Sequence, residues 1–152
     1  MNERSMQFLT FKIDDEQYAV EVERVREVLE YSMITKLPKS AERMRGVINI
    51  RGSVVPVMDL RIDFGLSATE QTITTAIIVL EYTTRNGIIP IGILADSVQE
   101  VITMNSDQID EVPAVEQIRA QGFIKGFAKK EDGFIVLLDI DKVFTEEAVV
   151  AA

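Results

Sequence analysis

The side chains in this sequence whose types and spacing come nearest to acid–base chemistry are carboxylates. Asp59 and Asp63 stand four apart, Asp139 and Asp141 two apart, and Asp14 adjoins Asp15. A small hydrolase using Asp59, Asp63 or Glu27 would need two carboxylates in different environments flanking a substrate, at least one with a raised pKa in a pocket. Other common centres are excluded by composition, because the 152 residues contain no His, no Cys and no Trp. Zinc sites of imidazole and thiolate, haem with an axial His, disulfide frameworks and Ser–His or Cys nucleophiles all need residues that are missing. Asp107, Asp110 and Glu111 lack the central Gly and closing Glu of a calcium loop. Gly122 and Gly126 fall in a strand-like stretch, not in a phosphate-cradling loop. Asp59 and Asp139 each precede a short helical pattern and read better as N-caps than as catalysts. No catalytic residue, metal or cofactor is expected.

Recognition chemistry is the stronger theme. Arg51 lies in a turn between two apolar strands, directly before Gly52, where a bidentate contact with a partner carboxylate and an ordinary solvated Arg are both open readings. Charge is unevenly spread around it. Residues 1–61 hold 10 basic and 10 acidic side chains, so residues 62–152, with 6 and 15, carry the whole formal charge of −9. Within the neutral part, Lys36, Lys39, Arg43, Arg45 and Arg51 face only Glu42, a local +4. So negative a chain repels nucleic-acid phosphates and anionic lipid, while the basic stretch suits an acidic protein surface.

The elements that must position these residues are mostly strands. Leu9, Phe11 and Ile13 alternate with Phe8, Thr10 and Lys12, and after Asp14-Asp15-Glu16-Gln17 the alternation resumes at Tyr18, Val20 and Val22, as in a half-buried hairpin. Further hairpins are predicted around Arg51-Gly52-Ser53, Arg85-Asn86-Gly87 and the loop 129–133. Pro56 places its strand at an edge or an irregularity. Short helical turns are predicted from Ser40 to Arg45, from Asp59 to Gly65, and from Asp139 or Asp141 through Ala148; Val22–Leu29 fits a helical turn and a strand equally well. The apolar runs are strand-sized, too short to span a bilayer, and the polar start is no signal peptide, so a cytoplasmic protein is expected.

The second half repeats the first. Val25-Arg-Glu-Val-Leu29 returns as Val98-Gln-Glu-Val-Ile102, Ile34 and Pro38 as Ile109 and Pro113, Gly46-Val-Ile48 as Gly122-Phe-Ile124, and Asp59-Leu60 with Phe64 as Asp139-Ile140 with Phe144. About 70 residues of short antiparallel strands fit a small closed barrel. Two such barrels, each with a small core, are expected to share a hydrophobic seam.

The run Gly46-Val-Ile-Asn-Ile-Arg-Gly-Ser-Val-Val-Pro-Val-Met-Asp-Leu-Arg61 resembles the signature of the CheW family of chemotaxis coupling proteins, and Gln7–Phe11 with Tyr18–Val22 resembles that family's first hairpin. The resemblance extends from about Gln7 to Phe144. It implies an all-β fold with a few short helices, built as two tandem SH3-like five-stranded barrels sharing a seam, with a C-terminal helix. One CheW-like domain over 1–152 is expected, with approximate subdomains at 14–70 and 75–140 and the N-terminal strand and C-terminal helix packing across both. The resemblance also implies a non-catalytic adaptor joining the cytoplasmic tip of methyl-accepting chemoreceptors to the regulatory domain of the histidine kinase CheA, recruited to membrane-associated arrays without entering the membrane.

Carried over position by position, receptor contact falls on Val25, Glu27, Gly46 and Arg51, and kinase contact on Arg45, Val54 and Val55. A ring-closing contact of the family falls near Val112–Glu116. From position alone, Val25 reads as core or seam and Glu27 as a solvated charge. A ligand-binding barrel pair with an enclosed seam cavity stands beside the hydrolase as an alternative.

Overall fold

The computed structural model describes residues 5–113 and 122–144. Eleven strands follow one another as β1 (Ser5–Ile13), β2 (Glu16–Glu21), β3 (Val25–Glu30), β4 (Met44–Ile50), β5 (Ser53–Met58), β6 (Ala76–Thr84), β7 (Gly87–Ala95), β8 (Ser97–Asn105), β9 (Ile109–Asp110), β10 (Ile124–Lys130) and β11 (Gly133–Leu138). Among the described residues two one-turn helices, α1 (Leu60–Asp63) and α2 (Ile140–Val143), follow β5 and β11. The ambiguous stretch at Val22–Leu29 is both things in turn, a 3₁₀ turn at Val22–Arg24 and then β3.

Strand order is β3-β6-β7-β5-β4 in one sheet and β8-β1-β2-β11-β10-β9 in the other. Each sheet therefore borrows its first hairpin from the other half of the chain: β1–β2 pairs with β8 and β11, and β6–β7 pairs with β3 and β5. The expected subdomains 14–70 and 75–140 are corrected accordingly, since strands 25–95 build one sheet and strands 5–21 with 97–138 the other. The exchange covers hydrophobic faces that each half leaves open, because a lone hairpin cannot bury its apolar side.

Both sheets close on themselves in the same way. The chain beyond β3 bends back so that Thr35 and Val47 exchange backbone hydrogen bonds of 2.8 and 2.9 Å, and β9, just beyond β8, pairs with β10 at Asp110–Phe127. Closure removes the free edges of two small barrels. β5 contacts β7 only at Val57 and Met58, so the strand is an edge as far as Pro56 and interior beyond it.

The register sharpens the repeat. A bulge between Met44 and Gly46 opposite β5 has its twin between Ile124 and Gly126 opposite β11, which matches Gly46 to Gly126 at an offset of 80, not to Gly122. The reason is close approach: a Cβ on Gly46 would lie 2.3 Å from the Thr35 carbonyl oxygen, and one on Gly126 2.9 Å from that of Asp110.

The seam is the largest core. Phe11, Ile13 and Val20 from one half pack with Leu80, Ile91, Ile93, Ile140 and Phe144 from the other. A row of stacked rings, Phe11–Tyr18–Phe64–Phe123, crosses it with centroids 6.1, 5.2 and 5.1 Å apart. Two ion pairs tie the halves reciprocally with opposite polarity: Arg61 of α1 reaches Asp96 at 3.0 Å, and Asp141 of α2 takes Arg24 at 2.8 Å.

Asp59 and Asp139 cap α1 and α2, accepting hydrogen bonds from the backbone N–H of Arg61 and Asp141. No helix forms from Ser40 to Arg45; a turn at 42–43, closed by the Met44 N–H donating to the Ala41 carbonyl at 3.0 Å, leads directly into β4, whose pairing with β5 claims the backbone from Met44 onward. Of the expected C-terminal helix, Ile140–Val143 is described, and the positions through Ala148 lie outside the described residues.

Candidate functional site

The β4–β5 hairpin turns through only two residues, Arg51 and Gly52, between paired Ile50 and Ser53. Both have positive φ, 49° and 88°, the backbone demanded by a tight hairpin loop with right-handed strand twist. Asn49 fixes the turn, its Oδ1 accepting from the Gly52 N–H at 2.8 Å. A left-handed Arg is uncommon, and here its guanidinium reaches toward β3.

Glu27 is waiting there. In β3 the register against β6 shifts between Val25 and Glu27, so Arg26 is the extra residue and Glu27 falls opposite Val79. Arg51 Nη2 donates to Glu27 Oε2 at 2.6 Å and Nη1 to Oε1 at 3.4 Å, a two-pronged pair. The hydrogen bond from Arg51 holds the Glu27 carboxyl below the usual glutamate range, and Glu27 in turn raises the Arg51 guanidinium. Beside it Arg26 Nε pairs with Glu81 at 3.2 Å.

The pair rims a groove of ≈ 440 Å³ whose apolar lining comes from Ile50, Val54, Val55, Val79 and Pro90. Val54 and Val55 divide the work: Val54 is 73% exposed at the tip, whereas Val55 is 2% exposed and supports the floor from within the core. A direct partner contact by the Val55 side chain is thereby corrected to a structural role. Val25, opposite Leu80, is half-buried against the seam core. Gly46 is buried at its bulge against Thr35, away from this groove. Of the four positions expected to meet the receptor, Glu27 and Arg51 come together, with Val25 on the same strand as Glu27 and Gly46 apart.

Arg45 lies at a different place. It bonds Asp59 at 3.2 Å beside a depression of ≈ 680 Å³ between the 36–45 and 67–70 segments. Asp59 is itself fully engaged, since it also accepts from the Arg61 N–H, the Thr69 N–H and the Thr69 hydroxyl. Burial raises the pKa of Asp63, which pairs with Arg43 at 2.9 Å on the other side of α1. The two carboxylates of the hydrolase reading thus line separate hollows, and Asp59 serves as a cap. Among the described residues no group of three or more potential ligands is placed to hold a metal ion, and no helix is long and apolar enough to cross a membrane. Of Val112–Glu116, the residues from 114 onward lie outside the described residues.

Ile50, Val79 and Pro90 were not foreseen as groove lining. Val79 and Pro90 reach it from the exchanged β6–β7 hairpin, and nothing in local sequence pattern signals that exchange.

Comparison with known proteins adds the following. The model of the CheW-like domain matches residues 7–148. The chain is 32% identical over 146 residues to the chemotaxis protein CheW of Thermotoga maritima, covering 96% of this chain and 92% of that one. It is 28% identical over 141 residues to the chemotaxis protein CheW of Klebsiella aerogenes, covering 93% and 82%. Among solved structures, the scaffolding protein TtCheW from Thermoanaerobacter tengcongensis superposes with a TM-score of 0.79 at 30% identity, over 90% of each chain.

Proposed function

This chain belongs to the CheW-like family of chemotaxis coupling scaffolds, and from that premise we propose that the groove rimmed by Arg51 and Glu27 receives the cytoplasmic tip of a chemoreceptor. The tip of such a receptor is a helical hairpin bundle. An apolar helix face suits the part-exposed Ile50 and Pro90, with Val79 buried behind the lining, while the charged rim fixes its register. The observation that carries the reading is the Arg51–Glu27 pair itself, held over an apolar groove with the Arg51 side chain still 73% exposed. A guanidinium already oriented by one carboxylate keeps free N–H donors for another.

The kinase side of the adaptor, the regulatory domain of CheA, is assigned to the same barrel, at exposed Val54 and around Arg45. What supports this is that Val54, an exposed branched apolar side chain, stands beside the hairpin tip on the same strand pair as Arg45. Val25 and Gly46 belong to the receptor side as supports of β3 and β4. The adaptor works by assembly and without catalysis, as a cytoplasmic protein held in receptor arrays: coupling resides in how its contacts differ between signalling states.

The test is capture of the purified chain by a receptor-tip fragment and, separately, by the kinase regulatory domain. Arg51→Glu is expected to fold normally, lose the receptor tip and retain the kinase domain. Retained receptor capture by folded Arg51→Glu would overturn the site; failure of the natural chain to bind either folded partner would overturn the adaptor assignment.

A further inference from the structure

Three charged residues at the entry to β3, Arg24, Arg26 and Glu27, are tied to other elements. Glu27 holds Arg51 on the β4–β5 tip, Arg26 holds Glu81 on β6, and Arg24 reaches across the seam to α2. Arg24 is the most heavily bonded of them. Its Nη2 and Nη1 approach the two Asp141 carboxylate oxygens at 2.8 and 3.3 Å, while Nε and Nη2 donate to the Glu81 carbonyl at 3.1 and 2.9 Å. The side chain is 24% exposed, and the hydrogen bond from Arg24 holds the Asp141 carboxyl below its ordinary range.

We propose that Arg24 is a positioning residue for the receptor groove, pinning the start of β3 to α2 of the other half and so fixing where Glu27 presents its carboxylate to Arg51. The proposal rests on the groove assignment above. Its physical basis is short leverage: Arg24 is three residues from Glu27, and the intervening register shift leaves Arg26 between them without a ladder partner on β6. A side chain that bonds Glu81 by its carbonyl, next to Arg26 bonding Glu81 by its carboxylate, ties the start of β3 to β6 beside the bulge. Only Arg has the planar fork that spans a backbone carbonyl and a carboxylate together; a Lys ammonium carries the charge without the geometry. The opposite-polarity pair Arg61–Asp96 lies at the corresponding corner of the other half, so it loosens the seam equally when cut but does not adjoin Glu27.

The experiment measures affinity for the receptor-tip fragment, with thermal stability in parallel, for the full chain and for Arg24→Ala, Arg24→Lys, Asp141→Asn, the swap Arg24→Asp with Asp141→Arg, Arg61→Ala and Arg51→Glu. Arg24→Ala and Asp141→Asn are expected to weaken binding by roughly two- to thirtyfold, the range for residues that act through others. Arg24→Lys should recover little, and the charge swap should recover much of the loss. Arg61→Ala should leave affinity near that of the natural chain at a matched fall in stability. Unchanged affinity in folded Arg24→Ala, or an equal loss in Arg61→Ala, overturns the positioning role. If Arg51→Glu also binds normally, the groove assignment itself fails, which separates the two outcomes.

Discussion

Arg51 Nη2 lies 2.6 Å from Glu27 Oε2, although 24 residues separate them and neither belongs to the other's hairpin. The contact crosses the line where the barrel closes, because β3 and β4 end the strand order and the chain beyond β3 pairs with β4 at Thr35–Val47. It brings the two charged receptor-facing candidates together as one unit.

This pair sets a titration. The lowered folded-state pKa of Glu27, caused first by the hydrogen bond from Arg51, means that the pair is fully present above the ordinary glutamate range. It is lost as the pH falls through the lowered folded value. Following the Glu27 side-chain carboxyl carbon by NMR should give a midpoint below the usual range, moving up toward it in Arg51→Ala. A midpoint indifferent to that substitution would show the pair to be absent in solution.

Asp59 and Asp139 are twin caps with unequal burdens. Asp59 is 1% exposed and serves Arg45, the Arg61 N–H and Thr69 twice, whereas Asp139 has its side chain bonded to the Asp141 N–H. Asp59→Ala is expected to cost about 3 kcal/mol, from a lost cap and stranded buried donors, against about 1 kcal/mol for Asp139→Ala. For a chain of this size that corresponds to melting temperatures lower by roughly 6–12 °C and 2–4 °C. Equal losses in thermal or urea unfolding would contradict the network.

The exchanged hairpins predict that neither half folds alone. Cut in the loop after Glu70, the first fragment keeps β1–β2 without β8 and β11, and the second keeps β6–β7 without β3 and β5. Each fragment should give a poorly dispersed amide spectrum, and an equimolar mixture should regain dispersion. A half that folds unaided would refute the dependence on exchange.

Much was readable in advance because it depends on neighbours in the chain. The hairpin of Leu9–Ile13 and Tyr18–Val22, the Gly after Arg51, and Asp ahead of Leu60 and Ile140 all report local geometry and appear where expected, although β1 is buried on both faces from Phe8 to Phe11 and not half-buried, since Phe8 packs into a second core. The turn after Ser40 forms but stops at Met44, which pairing with β5 claims, and the Gly46–Gly122 match misled, since the second glycine is required where the strand bulges toward Asp110. Val54 and Val55 are indistinguishable as a sequence pair; opposite faces of one strand send Val54 to solvent and Val55 to the core.

By itself the sequence determined that no His or Cys chemistry operates, that the chain is a duplicated set of short strands with capped turns, and that Arg51 sits on a hairpin tip. Only the tertiary structure decided that each half lends its first hairpin to the other, that Glu27 is the partner of Arg51, and that Arg24 ties the groove's strand to α2. Turns and caps are settled over a few residues by sterics and hydrogen bonding. Strand exchange and ion pairing across 24 or 117 positions are settled by which apolar faces can be covered only by the other half of the chain.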